Sequence, residues 1–205
     1  IILTKDEAMH IARAIHSVRD VARRIVVVDS GSTQNERAIV ENFQRRYDNI
    51  RYLRTERESL YAAWNRGVEL ARGQYHTNAN TDDRHRHDAL EVMARTLDEH
   101  PEVGLVYGDC LITRTPNETY ASNSADRLLC WPDFSLRQAL QYCLFGPQPM
   151  WRRSAHAEIG SFSPDYKVAG DYDFFLRLAT RYGAFHIAEP LGLYYEGGGL
   201  ELGDP

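Results

Sequence analysis

Four apolar residues in succession, Ile25-Val26-Val27-Val28, run directly into Asp29-Ser30-Gly31. An apolar run this short, with no polar side to turn to water, reads as a strand covered on both faces. The small residues after it read as a turn. The same rhythm extends to either side. Ile1 to Leu3 reads as a strand, and Ile11, Ala14, Ile15 and Val18 as the apolar face of a helix. Ala38, Ile39 and Phe43 mark a second helix, and Ile50 to Leu53 a third strand. A helix from about Ser59 to Arg72 aligns Tyr61, Trp64, Val68 and Ala71 and stops at Gly73. Tyr75 to Asn80 reads as the next strand, Leu90, Met93 and Leu97 as a helix face, and Val103 to Tyr107 as a fifth strand. This alternation predicts an α/β fold with a mostly parallel sheet and helices on both faces.

After about Thr113 the rhythm weakens. Pro116, Pro132, Pro147 and Pro149 fall in residues 114–150, which read as irregular apart from a short helix near Ser135 to Tyr142. Helical spacing returns at Ser154 to Ile159 and at Asp171 to Tyr182, where Phe174, Phe175, Leu178 and Tyr182 align. No linker or repeat divides the 205 residues, a length that suits one domain. The net charge of −5 and the lack of a basic stripe give no reason to expect a nucleic-acid partner. No apolar run reaches the roughly 18 residues that span a bilayer, so no membrane segment is expected in this chain. Cys110, Cys130 and Cys143 show neither CxxC nor a disulfide framework, which suits a reducing compartment. The chain opens on Ile1 without a Met, and a trimmed piece of a longer protein is expected.

Ligands of open parallel sheets bind beyond the carboxyl ends of the strands. Asp29 ends one strand, and Asp82 and Asp83 end another, so both positions are expected on one rim. Asp29 suits a nucleobase N–H; equally, Asp29 or Ser30 suits a cap on the following helix. Two adjacent carboxylates repel, and a helix start explains one of them better than both. A hard cation, Mg²⁺ or Mn²⁺, would compensate the pair while binding substrate phosphates. His85 and His87 lack a Cys or third His at zinc spacing and read as solvated or partner-facing. Asp171 stands at a helix start, either as a cap or as a general base for an incoming hydroxyl. Asp173 and Arg177 are four residues apart and read as an ion pair.

The segments IILTKDEAMHIARAIHSV, IVVVDSGST, AAWNRGVELARGQY, NANTDDRHRHDALEVMARTLDEHPEVGLVYGD, PQPMWRRSAHAEIGSFS and AGDYDFFLRLA together resemble the family 2 inverting nucleotide-sugar glycosyltransferases of GT-A fold. The spore-coat-polysaccharide type is the nearest in pattern. The resemblance implies one GT-A domain with a nucleotide-sugar half over 1–110 and an acceptor half over 111–205. It implies Thr4 and Glu7 beside the nucleotide, Asp29 on the uracil ring, and Asn65 and Arg66 lining the nucleotide pocket. Asp82 and Asp83 match the ribose and metal carboxylates, with Mn²⁺ or Mg²⁺ as the ion, and Asp171 matches the catalytic base. Asn80 stands where many members have the first Asp of the motif, Ser30 replaces a frequent second Asp, and Tyr194 to Gly199 lacks the His that some members add to the metal. The implied activity is transfer from a UDP-sugar to a glycan or glycoconjugate hydroxyl, in the cytoplasm or at the inner face of its membrane. A nucleotidyltransferase usually carries a Gly-rich basic loop after its first strand, where this chain has Thr4-Lys5-Asp6-Glu7. A non-catalytic nucleotide-sugar-binding module stays open, and a dehydrogenase lacks its Gly fingerprint.

Overall fold

The computed structural model describes residues 1–20, 22–78, 80 and 83–197. The chain forms two compact units. The first comprises Ile1–Arg72 with Ser161–Asp171, and the second Gly73–Gly160 with Tyr172–Pro205.

In the first unit β1 (Ile2–Thr4), α1 (Ala8–Val18), β2 (Ile25–Ser30), α2 (Glu36–Gln44), β3 (Ile50–Thr55) and α3 (Leu60–Leu70) alternate as the periodicity predicts. The strands pair in parallel in the order β1-β2-β3. All six residues of β2 are buried, as its unbroken apolar run requires of a central strand. Ile11 and Ile15 of α1 and Val40 and Phe43 of α2 pack with Ile25, Val27 and Ile50 into one core. Each such side chain contributes roughly 1.5–3 kcal/mol when fully withdrawn from water.

The segment Ser161–Asp171 returns to this unit and is tied to α3. Asn65 Nδ2 donates to the Phe162 carbonyl at 2.8 Å, and the Phe162 N–H donates to Asn65 Oδ1 at 3.0 Å. The Phe162 ring stacks on Tyr61 and meets Trp64 edge-on, with centroids 6.2 and 5.1 Å apart. Ser59 caps α3 by accepting from the Ala62 N–H, and its hydroxyl donates to the Pro164 carbonyl at 3.1 Å.

The second unit holds β4 (Tyr75–Thr77), β5 (Arg84–His85), α4 (Ala89–Glu99), β6 (Leu105–Thr113), β7 (Arg127–Leu129), α5 (Leu136–Ala139), β8 (Met150–Arg152), a 3-10 turn (Arg153–Ala155), α6 (His156–Ile159), α7 (Gly170–Tyr182) and β9 (Ala184–Tyr195). Gly170 and Asp171, the first residues of α7, count with the first unit. The sheet runs β4-β8-β6-β9-β5, with β7 also against β6. Its β6–β9 pair is parallel, and its other pairs are antiparallel. The first sheet is thus wholly parallel and the second mixed. β8 enters antiparallel between β4 and β6, and it emerges from the proline-rich stretch read as irregular. β9 crosses Pro190, which has no N–H for a ladder. The register against β6 shifts around Asp109, its partner, which accommodates that gap.

Ala89, Met93 and Leu97 are the buried face of α4, packed with Val103, Val106, Met150, Ile187 and Leu191. Leu90, assigned to that face from the sequence, is exposed, one position out of phase. His186 Nε2 lies 2.8 Å from Asp109 Oδ1 and its Nδ1 3.2 Å from Asp133, which ties the chain after β7 to β9. No disulfide joins the three cysteines. No helix among the described residues is long and apolar enough to cross a membrane.

His76 on β4 is buried with neither ring nitrogen hydrogen-bonded, against Trp151 and His156 at centroid distances of 5.8 and 5.4 Å. Desolvation, then the nearby charge at His156, pushes its pKa down to about 4.

Two outcomes follow for stability. Asn65→Ala strands the Phe162 N–H and carbonyl, and is expected to lower the unfolding free energy by about 1–3 kcal/mol in urea denaturation. For His76 the unfolded chain binds a proton below about 6.5 and the folded chain only near 4. Its contribution is therefore fully present above about pH 6.5 and is lost as pH falls through that window. The urea midpoint should fall across it, and His76→Phe should flatten the fall.

Candidate functional site

The register of the first sheet sets Thr4, Asp29 and Arg54 side by side at the carboxyl ends of β1, β2 and β3. Thr4 is buried, and its hydroxyl has no partner. Asp29 is fully enclosed. One of its oxygens accepts the Ser32 N–H at 2.8 Å, and the other accepts the Tyr52 hydroxyl and lies 3.4 Å from the Arg54 guanidinium. Burial works against the ionised carboxyl, but the bonds from Tyr52 and Ser32, with the charge of Arg54, outweigh it and hold the pKa below the usual carboxylate range. Tyr52 in turn is pushed up to about 12, by burial first and then by its bond to Asp29. Asp29 thus closes the turn and orients Tyr52 and Arg54. A cap on α2 is not its role.

The loop after β1 is sewn to the loop after β2. Asp6, at φ 56°, accepts the Thr33 N–H and hydroxyl at 2.7 and 2.9 Å, while its own N–H donates to Ser32. The bonds from Thr33 pull its pKa down. Glu7 precedes α1, 3.9 Å from His10. Neither Asp6 nor Arg54 stood out in the sequence, since strand register and loop closure give them their partners.

Asn65 and Arg66 serve the protein itself in this arrangement. Asn65 holds Phe162, and Arg66 pairs with both oxygens of Glu58 at 2.7 and 2.8 Å. Asp171 is the second residue of α7 rather than its cap. Its Oδ1 accepts the Tyr61 hydroxyl at 3.1 Å. Burial, then the Asp171 charge, raises the pKa of Tyr61, so the phenol stays a donor. Asp173 pairs with Arg177 at 2.9 Å, as its spacing predicts. In the same unit as Asp171 a recess of about 500 Å³ opens, lined by Lys5, Arg57, Lys167, Glu58, Asp165 and Tyr166 among others. Thr4, Glu7, Asp29, Asn65 and Arg66 do not line it. Its residues come from three separate segments and carry no common motif, which hides them in the sequence.

In the second unit Asp82 lies outside the described residues. Asp83 stands directly before β5, with α4 beginning only at Ala89, so a helix start does not explain it. It is buried, one oxygen accepting the Asn80 side-chain amide and the other the Tyr195 N–H, each at 3.2 Å. His85 is a correction to the solvated reading: burial pushes its pKa down to about 4, and its Nδ1 is buried without a partner. His87 is exposed, 4.0 Å from Asp88. Gln148, also buried with both amide atoms unpartnered, covers Gly192 so closely that a Cβ there would collide with it. Among the described residues no group of three or more His, Cys, Asp or Glu gathers to hold a metal.

Comparison with known proteins places these features. The sequence profile of Glycosyl transferase family 2 matches residues 1–156. A PGL/p-HBAD biosynthesis glycosyltransferase of Mycobacterium bovis is 32% identical over 184 residues, covering 86% of this chain and 66% of that protein. Among solved structures, Staphylococcus aureus TarS residues 1–349 in complex with UDP-GlcNAc superposes with a TM-score of 0.70 at 18% identity, covering 97% of this chain and 58% of that one. The mannosyltransferase PcManGT of Pyrobaculum calidifontis, in complex with GDP-Man and Mn²⁺, gives 0.66 at 19% identity, covering 94% and 55%. The chain therefore spans 66% of the length of the curated relative and less of the solved ones. Its fold is GT-A, and the chain belongs to glycosyltransferase family 2.

Proposed function

We propose that this chain moves a sugar from a nucleoside diphosphate carrier, UDP by preference, to a hydroxyl of a glycan or glycoconjugate, inverting the anomeric carbon. Family membership supports glycosyl transfer. The solved relatives with UDP-GlcNAc and with GDP-Man support a nucleotide-sugar donor. The observation that carries the reading is the placement of Asp171: a carboxylate at the head of a long helix, aimed by a buried phenol whose hydroxyl remains protonated.

In the proposed reaction the acceptor oxygen bonds to the anomeric carbon as the bond to the diphosphate breaks. The acceptor proton passes to Asp171, and the electron pair leaves with the diphosphate. Attack and departure use opposite faces of the sugar, so configuration inverts. Tyr61 orients the carboxylate through Oδ1 toward its role as the proton's destination. Thr4 and Glu7 flank the nucleotide at the sheet edge, and Asp29 acts there through Arg54 and Tyr52.

Asp83, with Asp82, would hold the divalent ion. The fit is one of chemistry. Asp83 offers oxygen donors, as Mn²⁺ and Mg²⁺ prefer, and such ions complete their shells with water and substrate phosphate. When bound, such an ion offsets charge on the leaving diphosphate. The setting proposed is polysaccharide or glycoconjugate synthesis on the cytoplasmic side of a membrane.

Asp171→Asn is expected to keep its affinity for UDP while transfer falls by roughly 10²- to 10⁴-fold. Normal turnover by this variant would remove Asp171 from the chemistry. Calorimetric titration with UDP, GDP and dTDP, each with and without Mn²⁺, should show UDP tightest and tighter with the metal. Heat for none of the three under either condition would overturn the donor assignment.

A further inference from the structure

Lys5, Arg57 and Lys167 enter the recess from three places: the loop after β1, the loop after β3 and the returning Ser161–Asp171 segment. The arginine ion pairs of this unit are made by Arg19, Arg37, Arg54 and Arg66. The three recess cations make none among the described residues. Two carboxylates share the lining. Glu58 is already matched by the two-pronged contact from Arg66, and Asp6 acts on Lys5 from outside the lining. Of the lining carboxylates Asp165 alone is left for Arg57 and Lys167. On a chain of net charge −5 this is a locally positive hollow. Cations lining one hollow raise its local potential and favour a negatively charged occupant.

The walls are held in place. Gly31 sits at φ +71°, and a Cβ there would fall 2.8 Å from the Arg57 nitrogen, so the Arg57 loop can approach only over a glycine. The Ser59 hydroxyl ties the α3 wall to Pro164 on the opposite wall. Both walls also lead to Asp171. The returning segment ends on it, and Leu60 of the recess precedes Tyr61, whose hydroxyl it accepts. Thr4, Glu7, Asp29, Asn65 and Arg66, assigned to the donor nucleotide, are not among the residues lining the recess.

From this placement we propose that the recess binds an oxyanion, phosphate or carboxylate, carried by the acceptor, with Tyr166 and Leu60 covering its less polar part. The word acceptor rests on the glycosyl-transfer reading above; the binding of an oxyanion does not. The cations select an acidic acceptor and hold it beside the carboxylate that takes its proton.

The test is an NMR titration of the whole chain with glycerol phosphate, with glycerol as the neutral control, each in the absence and presence of saturating UDP and Mn²⁺. The amides of Arg57, Tyr166 and Lys167 should shift with glycerol phosphate in both conditions and stay still with glycerol. In the double variant Arg57→Gln, Lys167→Gln the affinity for glycerol phosphate should drop roughly tenfold or more, with that for UDP unchanged. Both side chains are exposed, so the fold should survive, and Lys5→Gln alone is a milder variant expected to move the same way. An equal response to glycerol, or unchanged affinity in the double variant, would overturn the proposal. So would release of glycerol phosphate by UDP, which would give the recess to the donor diphosphate. Should UDP itself fail to bind, the donor assignment falls while the titration without nucleotide still decides the recess.

Discussion

Asn65 grips both backbone polar groups of Phe162, and the rest of the first unit's working parts depend on that grip. A side-chain amide that donates and accepts across one peptide mimics a strand partner, and it satisfies two groups that would otherwise be costly to bury. The eleven residues of the returning segment would lose their order without such an anchor, since each ordered residue carries an entropic cost of about 1–2 kcal/mol. The stacking of Phe162 on Tyr61 adds apolar area to the same tether. Downstream of it the chain delivers Lys167 to the recess and Asp171 to the head of α7. An internal residue of a helix thereby sets the position of groups a hundred residues away in sequence.

Three carboxylates illustrate how environment divides labour. Asp29 is sealed among protein donors, and its charge works inward to brace a turn and a guanidinium. Asp83 is enclosed and accepts the Asn80 side-chain amide and the Tyr195 N–H. Asp171 receives a phenol. A buried anion costs several kcal/mol unless donors surround it, and Asp29 and Asp83 meet that demand by different means, while Asp171 is half-buried.

Much of the first unit was legible because its signals are long or local. β2 announces itself by an unbroken apolar run, and Asp173 with Arg177 by a four-residue spacing. β5 and β8 have two and three residues, too few for any periodicity to declare itself. β9 carries Pro190 and Gly192, which disguise a twelve-residue strand as a loop. On α4 the sequence places Met93 and Leu97 correctly and only Leu90 wrongly, because Ala89, small and fully buried, gives a weaker apolar signal than its larger neighbour. At the site, residue types were readable and partners were not. Nothing near Asp29 in sequence points to Tyr52 and Arg54, which parallel pairing delivers from the next strand. Nor does His85 betray its burial, since an alternation of Arg and His looks solvent-facing until the sheet closes over it.

Gly170, the first residue of α7, lies flat against the ring of Tyr61: a Cβ there would fall 2.5 Å from one ring carbon and 2.7 and 2.8 Å from two others. The phenol is therefore seated on bare main chain. Its reach to the next residue's carboxylate is set by how close an aromatic plane can come to a peptide, not by the choice of a rotamer. Any side chain at that point, however small, acts as a shim that lifts the ring and lengthens the gap its hydroxyl must bridge. The spacing between Asp171 and Tyr61 is thus built into the backbone, where a single methyl group is enough to reset it.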